Sequence, residues 1–216
     1  MPVFRLSEEP VFPDPRLAEE DGLLAVGGDY SIERLMCAYQ HGIFPWFKHL
    51  DDIYWFATNP RMVIFPQHYK PPHGLKRSLK KRLYTVTMNS AFEAVIDMCE
   101  KVPRKEEGSW INPEYKKSLI KLNELGIAHS FEAWHDDKLA GGLYGIQVGK
   151  GFTGESMFHL MDDASKYAFH FLMEYARSEG WLFVDAQQDT PHLRSLGGVN
   201  IEFQEFYKLL GLAFNE

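Results

Sequence analysis

Three polar side chains sit where strand patterns ought to be apolar, and their types allow chemistry. Glu155 interrupts Phe152-Thr-Gly-Glu-Ser-Met-Phe158, while Asp185 and Gln187 follow Leu182-Phe183-Val184, two positions apart and so on one face of a strand. A carboxylate in such a place is costly unless it is paired or faces a ligand. Two carboxylates and an amide can hold a cationic group or orient an attacking amine. An internal salt bridge, or polar groups exposed at a sheet edge, would explain the same residues without chemistry.

Several common catalytic signatures are missing from the sequence. Gly154-Glu-Ser-Met-Phe158 departs from GxSxG at its last position, and neither HExxH nor GxxxxGK[ST] occurs. The histidines are scattered singly and imply no metal. Cys37 and Cys99 lack CxxC spacing and read as buried reduced thiols. The nearest thing to a phosphate cradle is Gln147-Val-Gly149-Lys-Gly151, which runs into another strand pattern. A coenzyme A pyrophosphate wants a helix N-terminus directly after its glycines, so a hairpin turn is favoured and no cofactor is implied.

A second group of residues points to a polyanion. The net charge is −7, from 23 Lys and Arg against 30 Asp and Glu, which argues against nucleic-acid binding by the whole surface. Residues 70–82, KPPHGLKRSLKKR, reverse this locally with Lys70, Lys76, Arg77, Lys80, Lys81 and Arg82 and no acidic residue. On a helix from Gly74 to Leu83 the pairs 76/80 and 77/81 stand at i,i+4, where like charges repel unless an anion neutralises them. A solvated helix face and a phosphate grip are both open on this segment alone.

These residues need a scaffold. Residues 1–30 read as irregular and proline-rich, closing on GLLAVGGD. Ser31 caps a helix with Ile32, Leu35, Met36 and Tyr39 on one face and Gly42 as its stop. Phe44, Trp46, Phe47, Tyr54, Trp55 and Phe56 then gather around prolines as a core cluster. The texture changes near residue 62, dividing the chain into residues 1–62 and 63–216. Ser90 with Glu93 opens a helix through Lys101, and Asn112-Pro113 opens another that stops at Gly126. Strands at 128–134, 139–148 and 151–158 suit antiparallel hairpins, followed by a helix at 163–178, a strand at 181–187 and a Thr190-Pro191 helix start. The expected class is α+β: a small N-terminal domain followed by an acetyltransferase-like (GNAT-like) domain. The 45% apolar content can fill such a core, the first twenty residues lack a secretory apolar run, and no window approaches a membrane span. The expected location is the cytoplasm.

Read together, six blocks resemble the leucyl/phenylalanyl-tRNA-protein transferase family: GLLAVGGD at 22–29, AYQHGIFPWF at 38–47, GSWI at 108–111, LAGGLYGI at 139–146, GESMF at 154–158, and Asp185-Ala-Gln187 followed by His192 and SLGG at 195–198. The resemblance covers nearly the whole chain. It implies an enzyme that moves Leu or Phe, and less readily Met, from aminoacyl-tRNA to proteins beginning with Arg or Lys, marking them for degradation by the N-end rule pathway. It implies an acetyltransferase-like domain that binds aminoacyl-tRNA in place of acetyl-CoA, with no cofactor or metal. By position, Trp46 and Trp110 would contact the terminal adenosine and aminoacyl end, and Leu143, Phe152, Phe169 and Leu172 would line the donor side-chain pocket. Glu155, Asp185 and Gln187 match the reaction centre, and Lys76, Arg77, Lys80, Lys81 and Arg82 would grip the tRNA. Ala186 stands where relatives can carry Cys. Two other readings suit the same residues: a coenzyme A-dependent N-acetyltransferase, and a tRNA-binding protein without activity.

Overall fold

Two sheets organise the chain, and the order of their strands decides where a site can open. The computed structural model describes residues 3–101 and 111–215. The smaller sheet runs β1-β2-β4-β3, from β1 (Phe4–Leu6), β2 (Leu23–Gly27), β3 (Phe44–His49) and β4 (Asp52–Phe56). The larger sheet contains β5 (Arg61–Ile64), β6 (Thr85–Met88), β7 (Ala128–His135), β8 (Lys138–Val148), β9 (Gly151–His159), β10 (Phe183–Gln187) and β11 (Val199–Ile201). Its order is β11-β5-β10-β9-β8-β7-β6. The α+β class expected from the sequence is the class observed.

The smaller sheet occupies a region read from the sequence as irregular chain and an aromatic cluster. Pro45 disguises β3: proline cannot donate to a ladder, and it is tolerated because β3 is an edge strand. Of the aromatic residues expected as core, Phe44, Trp55 and Phe56 are buried, with the Trp55 indole N–H donating to the Gly27 carbonyl at 2.9 Å. Trp46 and Tyr54 are only partly covered, and Phe47 is exposed on the edge strand, stacked on Tyr54 at 4.6 Å. Helix α1 (Ile32–Gln40) follows, with Ser31 accepting from the Arg34 N–H at 3.4 Å. Its inward face holds Arg34, Leu35, Ala38 and Tyr39. The buried Arg34 explains one glycine of the GGD motif, since a Cβ on Gly28 (φ +73°) would lie 2.9 Å from the guanidinium. One apolar core runs from the small sheet into the large one, including Leu24, Trp55, Tyr144, Phe183 and Phe206. The break between sheets falls between Phe56 and Arg61, so a division at residue 62 passes through β5.

In the larger sheet β7, β8 and β9 form an antiparallel meander. The connection from β9 to β10 is different: the two strands are parallel, and such a pair needs a crossover. Helix α5 (Ala164–Ser178) supplies it and buries Phe169, Leu172, Met173 and Ala176 along one face. Helices α3 (Phe92–Lys101) and α4 (Pro113–Glu124) contribute Val95, Ile96, Tyr115 and Leu119 to the core that includes Tyr144 and Ile146 of β8. Helix α2 (His73–Lys80) turns Leu75 into the core, and the Tyr167 hydroxyl of α5 donates to the Ser78 carbonyl. The chain closes with α6 (Pro191–Ser195) and α7 (Phe203–Asn215). The Gly149 turn is packed against α7: a Cβ there would lie 2.1 Å from the Ala213 carbonyl oxygen. It is a structural turn, as its strand context suggests.

Candidate active site

Strands β9 and β10 pair from Phe183↔Gly151 to Asp185↔Thr153, and beyond that point their register lapses. A cavity of about 240 Å³ opens there. Leu143 of β8, Met157 of β9 and Phe169 and Leu172 of α5 give it an apolar wall, while Glu155 and Gln187 supply polar groups from the two parting strands. Phe169 and Leu172 reach it together because residues three apart share a helix face.

Glu155 is half-buried, and each of its oxygens has a protein donor. The Tyr115 hydroxyl donates to Oε2 at 2.9 Å, and the Gln187 side-chain amide donates to Oε1 at 3.0 Å. Tyr115 is itself bonded to the Tyr39 hydroxyl at 2.7 Å. Burial raises the Glu155 pKa, hydrogen bonds from Tyr115, Tyr39 and Gln187 lower it, and the nearby Asp185 charge raises it. The balance pushes it up to about 7. Burial also keeps the Tyr39 and Tyr115 hydroxyls well above the usual phenol range, so both stay protonated donors. An ionised carboxylate only accepts, so the Gln187 NH₂ must face Glu155, leaving the amide carbonyl for another donor.

Asp185 faces away from this exchange. Arg61 donates to it twice, from Nε at 2.8 Å and Nη2 at 2.7 Å, and both side chains are at 1% exposure. Its Oδ1 also accepts the Gln187 backbone N–H at 2.9 Å. The register slips from Asp185↔Val63 to Gln187↔Met62, making Ala186 the extra residue of a bulge and leaving Gln187 at φ +62°. The bulge turns the Gln187 side chain to Glu155, while the carboxylate at 185 is buried on Arg61.

The profile of the family described as "Leucyl/phenylalanyl-tRNA protein transferase" matches residues 63–211, and that of its N-terminal domain matches residues 28–59. The chain is 48% identical over 217 residues to the leucyl/phenylalanyl-tRNA-protein transferase of Anaeromyxobacter sp. (strain K), spanning 100% of this chain and 93% of that one. This chain belongs to the leucyl/phenylalanyl-tRNA-protein transferase family. A transferase of Desulfatibacillum aliphaticivorans is 48% identical over 198 residues, 91% of this chain and 85% of that one. Among solved structures, an aminoglycoside acetyltransferase from an uncultured soil metagenomic sample is similar at 16% identity and a TM-score of 0.42, over 59% of this chain and 89% of that one.

Three of the transferase residues expected to line a donor pocket, Leu143, Phe169 and Leu172, do line the cavity. Phe152 does not: its ring is fully buried, stacked on Trp181 at 5.4 Å and edge-on to Phe131 at 5.9 Å, which makes it core. Trp46 lies in the small sheet against Phe56 at 4.7 Å and is not among the residues around the cavity. Trp110 lies outside the described residues. Of the two carboxylates expected to be able to hold a cationic group, Asp185 is not free to do so: Arg61 occupies its carboxylate, and the Gln187 side-chain amide is held by Glu155. Lys76, Arg77 and Lys80 of α2, with Lys81 and Arg82 after it, are all exposed and make no ion pair among the described residues.

Arg61, Tyr39 and Tyr115 were not legible as site residues. Arg61 leaves one trace, a cation opening the apolar run Met62-Val-Ile-Phe65. The tyrosines leave none, because at helical spacing each looks like any core aromatic. Among the described residues no group of three or more His, Cys, Asp or Glu could hold a metal ion, and no helix is long and apolar enough to cross a membrane.

Proposed function

We propose that this chain transfers Leu or Phe, and less readily Met, from aminoacyl-tRNA to the α-amine of proteins beginning with Arg or Lys, in the cytoplasm, marking them for degradation. Full-length membership of the transferase family carries this reading. An apolar cavity ending in Glu155 and Gln187 suits it: the apolar wall takes the donor side chain, and the polar end meets the amine. The amine attacks the ester carbonyl, a C–N bond forms as the ester C–O bond breaks, and the amine proton is exchanged for one delivered to the departing ribose oxygen. Gln187 accepts a hydrogen bond from the amine, Glu155 takes its proton, and Asp185 acts as a positioning residue behind them. Labelled Leu should pass from Leu-tRNA to a peptide starting with Arg, and not to the same peptide with its N-terminus acetylated. Acetyl transfer from acetyl-CoA without Leu transfer would overturn the assignment.

The exposed cations of α2 would hold the tRNA backbone. Such contacts carry little sequence information, so their loss should weaken every donor alike. Changing Lys76, Arg77, Lys80 and Lys81 to Ala should raise KM for charged tRNA and reduce its log–log salt slope by up to about 3–4. An unchanged slope would make these cations a solvated face only.

Donor choice would rest on the shape of the apolar wall. Ile and Val carry bulk next to the backbone, where Leu, Phe and Met are slender. Phe169→Ala should relax this choice, but Phe169 is 2% exposed and its truncation costs about 3–5 kcal/mol, so Phe169→Leu is the cleaner test. The kcat/KM for Ile and Val relative to Leu should rise about tenfold, the scale of one methylene in an apolar pocket. If both donors stay excluded, another part of the wall selects.

A further inference from the structure

We propose that Arg61 is a positioning residue for peptide-bond formation, which fixes the Gln187 main chain from both sides and ties it to the small sheet and to α7. This rests on the aminoacyl-transfer reading. Gln187 is a non-glycine residue in the left-handed region, a conformation its neighbours must impose. Its N–H is held by Asp185 Oδ1 at 2.9 Å, and its carbonyl by the Thr58 hydroxyl at 2.8 Å. Both anchors are bonded to one guanidinium: Arg61 Nε and Nη2 reach Asp185 at 2.8 and 2.7 Å, and Nη1 reaches Thr58 Oγ1 at 3.3 Å.

The guanidinium is itself held on two elements that do not line the cavity. It lies 4.8 Å from the Phe44 ring centre of β3 and 4.8 Å from that of Phe206 of α7. The planar fork serves two carboxylate oxygens and a hydroxyl from three separate nitrogens; a lysine ammonium carries its three donors on one nitrogen and does not reproduce that spread. Loosening Arg61 would free Gln187 to turn, and its amide would leave Glu155 without displacing the donor pocket.

Arg61→Lys keeps the charge and tests the fork. In folded protein, kcat should fall about 10²-fold, the scale of an ångström-sized misplacement at a reacting group, while KM for charged tRNA stays within about twofold. The Glu155 carboxyl, followed by carbon-13 NMR, should titrate at higher pH, because the lost Gln187 donor favours the ionised form. A merely structural role would not move that titration. Thr58→Val serves if Arg61→Lys fails to fold: losing one hydrogen bond should lower kcat by about tenfold and raise the Glu155 titration in the same sense. An unmoved Glu155 titration in the folded variant overturns the proposal, and so does wild-type kcat. Absence of Leu transfer by the wild-type chain would count against the activity instead, and the titrations would still judge Arg61.

Discussion

Asp185→Ala is expected to destabilise the fold by about 3–5 kcal/mol, the usual consequence of removing one partner from a buried ion pair. The substitution leaves the Arg61 guanidinium between Phe44 and Phe206 without its counter-charge and leaves the Gln187 N–H without its acceptor. The exposed pair Arg5–Asp52, whose side chains are at 70% and 31% exposure, provides the control. Solvent screens such a pair, so Asp52→Ala should hardly move the urea midpoint. The penalty at residue 185 comes chiefly from a stranded charge, and the double change Arg61→Met with Asp185→Leu should therefore recover much of the stability. That double variant should still transfer poorly, because it cannot hold the Gln187 backbone. Equal midpoints for Asp185→Ala and Asp52→Ala would show that Arg61 finds another partner, and the pair would lose its place in the fold.

What is legible in the sequence is what a few neighbouring residues decide. Ser31, Asn112 and Thr190 read as helix caps, and each accepts a backbone N–H within its own first turn. The strands between residues 128 and 159 are legible because alternation and glycine turns are local signals. The small sheet is hidden because β1 spans three residues, pairs in parallel with β2 across an intervening segment, and leaves its aromatic neighbours to look like a proline-studded cluster. Glu155 and Gln187 show themselves by breaking apolar strands. Their supports do not, because the bonds that assign them are tertiary: Tyr39 meets Tyr115 across 76 residues, and Arg61 meets Asp185 across 124. The i,i+2 spacing of Asp185 and Gln187 suggests one shared face, and the bulge at Ala186 separates them. A bulge is set by the partner strand, which the spacing does not contain.

Glu155→Gln is expected to lower activity while making the fold more stable above pH 7. The acceptor amine has a reference pKa of about 7.7–8.0, so roughly a tenth of it is already neutral near pH 7, and the carboxylate need only take the proton released as the C–N bond forms. A kcat loss of about 10²-fold, the low end for a general base, is therefore expected. Wild-type kcat/KM should fall as pH drops through about 7, where Glu155 becomes protonated, and this limb should vanish in Glu155→Gln, leaving only that of the amine. Stability runs the opposite way. The pKa is about 7 in the folded chain against 4.5 ordinarily, so between these values the folded state binds more protons than the unfolded one, and stability falls as pH rises. Above pH 7 the folded chain bears the whole cost of an ionised, desolvated carboxylate, which glutamine lacks. Glu155→Gln should then melt higher than wild type at pH 8, and show no such gain at pH 4, where the acid is protonated in both states. Gln187→Ala separates the two effects. It removes the amide that lowers the Glu155 pKa, so kcat should fall, the acidic limb should move to higher pH, and no stability should be gained. Wild-type kcat with an unmoved limb in Glu155→Gln would leave the proton to solvent, and the reaction would then depend on how the tRNA end and the amine are brought together.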